Sequence, residues 1–112
     1  MPSDCIFCRI IAGDLPATVE YEDDQVVAFR DIHPKAEVHL LIVPRRHIPS
    51  LAHITPDDRP LLGHMMYVAR TIAEHKGLLE RGFRTVVHTG PEGGQDIYHL
   101  HMHFLGGRRL PS

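Results

Sequence analysis

The chain lacks any apolar stretch approaching the roughly 18 residues that a membrane-spanning helix needs, so no membrane partner is expected. Met1, Pro2, Ser3 and Asp4 do not begin a basic segment followed by an apolar run, so no secretory signal is expected and the reading is a soluble cytoplasmic protein. Cationic excess is also missing. Twelve Lys and Arg against fourteen Asp and Glu leave a formal charge of −2 with histidine neutral, without the electrostatic footprint of a nucleic-acid binder. An anionic ligand must therefore be recognised by local geometry. Cysteine is scarce: Cys5 and Cys8 are the only two, and in a reducing compartment their open roles are metal binding, redox chemistry or burial. No repeat, low-complexity tract or linker divides the chain, which leaves a single domain over residues 1–112. At that length a core is feasible, and pairing with a second copy would help it.

What the chain has in excess is histidine, ten residues in all. Three of them alternate with apolar side chains in His99-Leu100-His101-Met102-His103-Phe104, within a stretch running from Tyr98 to Gly107. Alternation of this kind predicts a strand, with the imidazoles on one face and Leu100, Met102 and Phe104 on the other. Neighbouring imidazoles would lie about 6.5 Å apart, twice the rise per strand residue. An appended tag does not interleave its histidines this way, nor follow a turn such as Gly93-Gly94-Gln95.

The remaining pattern predicts an α+β domain with four or five strands, one short helix and one long one. Spacings of four in CIFCRIIA, residues 5–12, predict the short helix, ended by Gly13. Val19–Tyr21 and Val26–Phe29 read as a hairpin around Glu22–Gln25, and Pro34 keeps His33 extended beyond it. His39–Val43, closed by Pro44, reads as a central strand. Thr55 as cap and Pro56 at the first helical position predict a helix to about Lys76, whose stripe of Leu61, Met65, Val68 and Ile72 belongs to the core. Phe83–Thr89 reads as a further strand leading into the glycine turn.

Neutral imidazole is a good nucleophile toward phosphorus near neutral pH when its other nitrogen is held by a hydrogen bond. His101, flanked on both sides, is best placed for that role. Backbone amides around Gly94, Gln95 and Asp96 can form an anion nest without a cationic side chain.

With these residues in place the sequence resembles the histidine-triad (HIT) family, whose mark is HxHxHxx with apolar x, matched here by residues 99–105. CIFCRII, the YEDD turn, AFRDI, HLLIVP, GGQ, YHLHMH and LGG extend the likeness over nearly the whole chain. GGQ, YH and LGG resemble the Hint branch, the purine nucleoside phosphoramidases. The resemblance implies antiparallel sheets of about five strands joined across a homodimer, and a site for a purine nucleoside monophosphate and its phosphoramidates. In it His101 attacks phosphorus to give a nucleotidyl-histidine, His103 assists at the phosphate and leaving group, and His39 supports the nucleophile. Asp31 would accept the ribose hydroxyls, and Ile6, Phe7, Ile10, Phe29, Ile32 and Leu41 would wall the base and sugar, although their spacing alone says only core.

Two positions depart from the Hint pattern: His88 stands where an asparagine near the phosphate is common, and Asp96 where a small hydroxyl residue is. The Asp96 amide can still donate if its carboxylate turns to solvent. As plain structure, His88 is simply a strand residue. The resemblance also bears on the cysteines. Some HIT proteins pair an N-terminal CxxC with a histidine after the central strand, here His47, and with the first triad histidine, His99. Cys5, Cys8, His47 and His99 would make a closed, structural zinc site, with no metal needed for catalysis. The rival function is a nucleotide-binding regulatory module whose slow hydrolysis is incidental. A third reading makes the triad itself a metal site, which leaves Asp31 and the glycine turn without a purpose.

Overall fold

A computed structural model describes residues 4–111. Its order is α1 (Ile6–Ile11), β1 (Val19–Glu22), β2 (Val26–Arg30), β3 (Val38–Pro44), α2 (Arg59–His75), β4 (Arg84–Val86) and β5 (Met102–Gly106). The five strands form one sheet in the order β1-β2-β3-β5-β4, and every pairing is antiparallel. This is the α+β architecture expected.

Each face of the sheet is covered by one helix, and strand alternation decides which residue goes where. Ala28, Leu40, Ile42, Leu100, Met102 and Phe104 pack with Met65, Val68, Ala69, Ile72 and Ala73 of α2. On the opposite face Val27, Phe29, Leu41 and Val43 gather around Phe7 of α1. Each fully buried large apolar side chain contributes about 1.5–3 kcal/mol, which makes β3, buried from His39 to Pro44, the spine of the domain.

Local polar devices fix the connections. Asp23 closes the first hairpin: its Oδ1 accepts the Gln25 and Val26 amides at 2.8 Å, and its Oδ2 accepts the Tyr21 hydroxyl at 2.7 Å. His64 Nε2 lies 2.6 Å from the same Oδ2, tying α2 to the hairpin. Burial alone would raise the Asp23 carboxyl, but the Tyr21 hydroxyl, the two amides and His64 together hold it far below the usual carboxylate range. Thr55 does start the long helical segment, through its amide to Asp58 Oδ2 at 2.8 Å. The first turn, Pro56–Asp58, is 3-10, and the α-helix proper begins at Arg59.

The histidine strand is shorter than its sequence pattern. Only Met102–Gly106 belong to the sheet; His99 ends a bend, and residues 100 and 101 lead from it into β5 outside the ladder. The register explains it: β3 and β5 pair Ile42 with Met102, so a longer ladder would set Leu100 opposite Pro44, which has no N–H to donate. Leu100 N–H goes instead to the Ile48 carbonyl, 2.7 Å away. β4 is shorter than its sequence pattern too, covering Arg84–Val86 and pairing as far as His103.

Candidate active site and metal centre

The α1 face of β3 and the 99–103 segment carry two adjoining clusters of imidazoles. His99, His101 and His103 do share a side opposite Leu100, Met102 and Phe104. His101 and His103 have ring centroids 5.2 Å apart, closer than the ideal strand spacing, because the chain leaves the ladder between them.

Hydrogen bonds define the tautomers. His101 Nδ1 lies 2.7 Å from the His99 carbonyl, which can only accept, so Nδ1 carries the proton and Nε2 keeps its lone pair. The ring is almost fully buried, with the edge of Phe7 packed against it at 5.1 Å. It is not the bare ring a nucleophile suggests. The Asp96 carboxylate stands 3.8 Å from Nε2 and is 78% exposed, so this edge of the ring faces the surface.

Next to it runs a relay. The Lys35 amide donates to His39 Nδ1 at 3.0 Å, which puts the His39 proton on Nε2. That proton points to His103 Nδ1 at 2.9 Å, with Asp31 Oδ2 3.4 Å away, and His103 is left with Nε2–H as its donor. Asp31 Oδ1 accepts the His33 amide at 2.8 Å. Burial lowers the His39 pKa, with Asp31 opposing and Lys35 reinforcing the shift. Burial, and then the charges that His101, His39 and His88 would carry, push His103 down to about 4, so both imidazoles are neutral at pH 7. Asp31, His39 and His103 are close enough to share a cation, but the Lys35 amide donating to Nδ1 keeps the His39 proton on Nε2, which leaves that nitrogen no lone pair for a metal.

The glycine turn is built differently from an open nest. Gly94 N–H goes to the Pro91 carbonyl and Gln95 N–H to the Gly90 carbonyl, at 3.2 and 3.0 Å, so neither amide points at a ligand. Asp96 N–H takes no part in those bonds. The buried Gln95 side chain braces the turn, accepting from Gly90 N–H at 3.0 Å and donating to the Pro49 and Ile97 carbonyls at 2.8 and 3.0 Å. His88 is exposed beyond the end of β4, its Nδ1 3.0 Å from the Gly93 carbonyl and its ring 5.2 Å from that of His103.

Of the apolar wall, Phe7, Phe29 and Leu41 are buried together with Ile10 packed on them, whereas Ile6 and Ile32 are exposed, Ile32 at 83%. A cleft of about 410 Å³ opens beside them, with Asp96, Ile97 and Tyr98 facing Cys5, Ile6 and His47. A larger groove, about 520 Å³, lies at the other end of β5 among Arg81, Arg84, Arg108 and Arg109, away from the imidazoles.

Cys5, Cys8, His47 and His99 converge at the foot of α1. Cys5 Sγ and His99 Nδ1 are 3.3 Å apart, Cys8 Sγ lies 3.4 Å from His47 Nδ1 and 3.5 Å from His99 Nδ1, and the two nitrogens are 3.2 Å apart. Tetrahedral zinc with bonds of about 2.05 Å to nitrogen and 2.3 Å to sulfur sets N···N near 3.3 Å and N···S near 3.6 Å. These four separations fit to within a few tenths of an ångström, and all four donor atoms lie within 4.8 Å of one another. His99 Nε2–H donates to the Pro44 carbonyl at 2.8 Å, which leaves Nδ1 free to ligate. Without metal, burial and then the Cys5 thiol push Cys8 up to about 11.

Sequence reasoning did not find the groups that orient these rings: the carbonyls of Pro44, Gly93 and His99 and the amide of Lys35. They are backbone atoms, which any residue supplies, so no side chain signals them.

Comparison with known proteins joins these features to a family. The family model described as "Scavenger mRNA decapping enzyme C-term binding" matches residues 4–109. The purine nucleoside phosphoramidase of Escherichia coli K12 is 44% identical over 110 residues, 98% of this chain and 92% of that one. The structure of a histidine triad protein from Clostridium difficile superposes with a TM-score of 0.97 at 43% identity, covering 100% of this chain and 97% of that one. A zinc-bound histidine triad family protein from Mycobacterium smegmatis matches at a TM-score of 0.81 and 30% identity, over 94% of this chain and 76% of that one.

Proposed function

The chain belongs to the histidine-triad family, and from that premise we propose that it is a hydrolase of purine nucleoside 5′-phosphoramidates or related nucleotidyl conjugates, cleaving their P–N bond. His101 Nε2 forms a bond to phosphorus as the bond to the amine breaks, giving a nucleotidyl-histidine. The amine leaves with one proton, delivered by His103, whose depressed proton affinity rises again beside the bound phosphate charge. His39 holds His103 in the required tautomer. Water then adds to phosphorus and gives a proton back to His103, the bond to Nε2 breaks, and the nucleoside monophosphate departs. Asp31 takes the ribose hydroxyls, and Phe7, Ile10, Phe29 and Leu41, flanked by Ile6 and Ile32, form the apolar side of the nucleoside site. His88, Gly94, Gln95 and Asp96 border the phosphate, with the Asp96 amide as the backbone donor.

The observation that carries this reading is the bond from His101 Nδ1 to the His99 carbonyl, which leaves one nitrogen lone pair directed to the protein's edge. His101→Ala tests it: turnover of adenosine phosphoramidate should fall at least about 10³-fold with nucleotide affinity retained. Undiminished turnover removes the reading.

Zinc is the structural ion that Cys5, Cys8, His47 and His99 would hold. When bound it supplies a cross-link between α1, the end of β3 and the triad segment, and four protein ligands leave it no reactive water. Cys5 and Cys8 are free thiols, which suits a reducing, cytoplasmic setting. A homodimer is supported by the outer edge of β4, with the half-buried Val86 and Val87, and by exposed Met66 and Tyr67 on α2. Light scattering should give twice the chain mass.

A further inference from the structure

The place where this chain departs from its family's pattern also carries an uncompensated charge. Asp96 Oδ1 accepts the Ile97 amide at 2.8 Å, which holds that oxygen in place although the side chain is largely exposed. The same oxygen lies 3.8 Å from His101 Nε2, and among the described residues no lysine or arginine comes within ion-pair distance of Asp96.

We propose that Asp96 is a charge filter at the phosphate, disfavouring a dianionic nucleotide product relative to a monoanionic substrate. The proposal rests on the nucleotide reading above and names what this chain adds to it. A phosphoramidate has one ionised oxygen at phosphorus, whereas a nucleoside monophosphate, with a second pKa near about 6, has two above neutrality. A phosphorus about 3 Å from Nε2 lies no more than about 7 Å from the carboxylate oxygen. One extra charge at that separation weakens binding about three-fold in a water-like medium, and by tens of fold where the ligand excludes water. The acid that looks like a handicap for binding thus hastens product release and limits product inhibition.

The test is calorimetric, at pH 8 and fixed ionic strength, on zinc-loaded protein. Adenosine 5′-monophosphate is compared with its O-methyl ester, which has the same nucleoside and one charge fewer. Asp96→Asn keeps the acceptor for the Ile97 amide. It should lower the ratio of the Kd for the monophosphate to the Kd for the ester at least about three-fold, whereas Asp96→Glu should leave the ratio near that of the wild type. An unchanged ratio in the asparagine variant, with both ligands bound, overturns the filter and leaves the nucleotide reading standing. Failure of both ligands to bind the wild-type protein removes the nucleotide reading and the filter with it.

Discussion

Gln95 offers the sharpest test of how the turn before the triad is held. Its side chain is buried and makes three hydrogen bonds, to Gly90 N–H and to the Pro49 and Ile97 carbonyls. Truncation in Gln95→Ala removes all three and strands backbone groups that have few other partners. At roughly 1 kcal/mol per bond, with a further penalty for a buried unpaired group, the loss comes to about 3–4 kcal/mol. For a domain of this size that lowers the melting temperature by about 12 °C or more. Urea denaturation of zinc-loaded wild type and variant, followed by circular dichroism, reads the difference directly. Gln95→Glu separates the roles, because it keeps the acceptor for Gly90 N–H but loses both donors. It should therefore also be destabilised. A midpoint for Gln95→Ala within experimental error of wild type would refute the brace, and with it the claim that this turn is a rigid platform rather than an open anion nest.

Other expectations follow from the same geometry. His47→Ala should drop bound zinc well below one ion per chain, as read by metal analysis of protein prepared without chelator. Stoichiometric zinc in that variant would contradict the four-ligand site. His103 titrates near 6.5 in an unfolded chain but near 4 in the fold, so the unfolded chain binds the extra proton. Its contribution is complete above about pH 6.5 and is lost as pH falls toward 4, on the order of 2 kcal/mol once partial exposure is discounted. The slope of stability against pH over that window should flatten in His103→Asn, and an unaltered slope would refute the assignment. A Cβ on Gly93 would collide with the Thr89 carbonyl, so Gly93→Ala should shift the turn and lower the melting temperature, and an unshifted melt would contradict the close approach.

Side-chain pattern made most of the fold legible. The run His39–Val43 announced a strand buried on both faces, and the alternation at 99–104 sorted imidazoles from core residues before any coordinates. The start of β5 was not legible, because it depends on the pairing register that sets Leu100 opposite Pro44. The sequence likewise placed Gln95 in the glycine turn but not the direction of its side chain. Its contact with Pro49, 46 residues away, is a tertiary fact with no local signature. The four metal donors were named from resemblance, and their convergence bears on that reading through distances that spacing in the chain does not encode.

In the proposed reaction one imidazole, His101, bonds covalently to a nucleotide's phosphorus. Zinc-loaded protein mixed with adenosine phosphoramidate, quenched in milliseconds under conditions that preserve phosphorus–nitrogen bonds and analysed by mass spectrometry, should gain one nucleotidyl group. Peptide mapping should place that group on His101. Turnover with no such adduct at any quench time, or an adduct mapped to His103 or His39, would contradict the account.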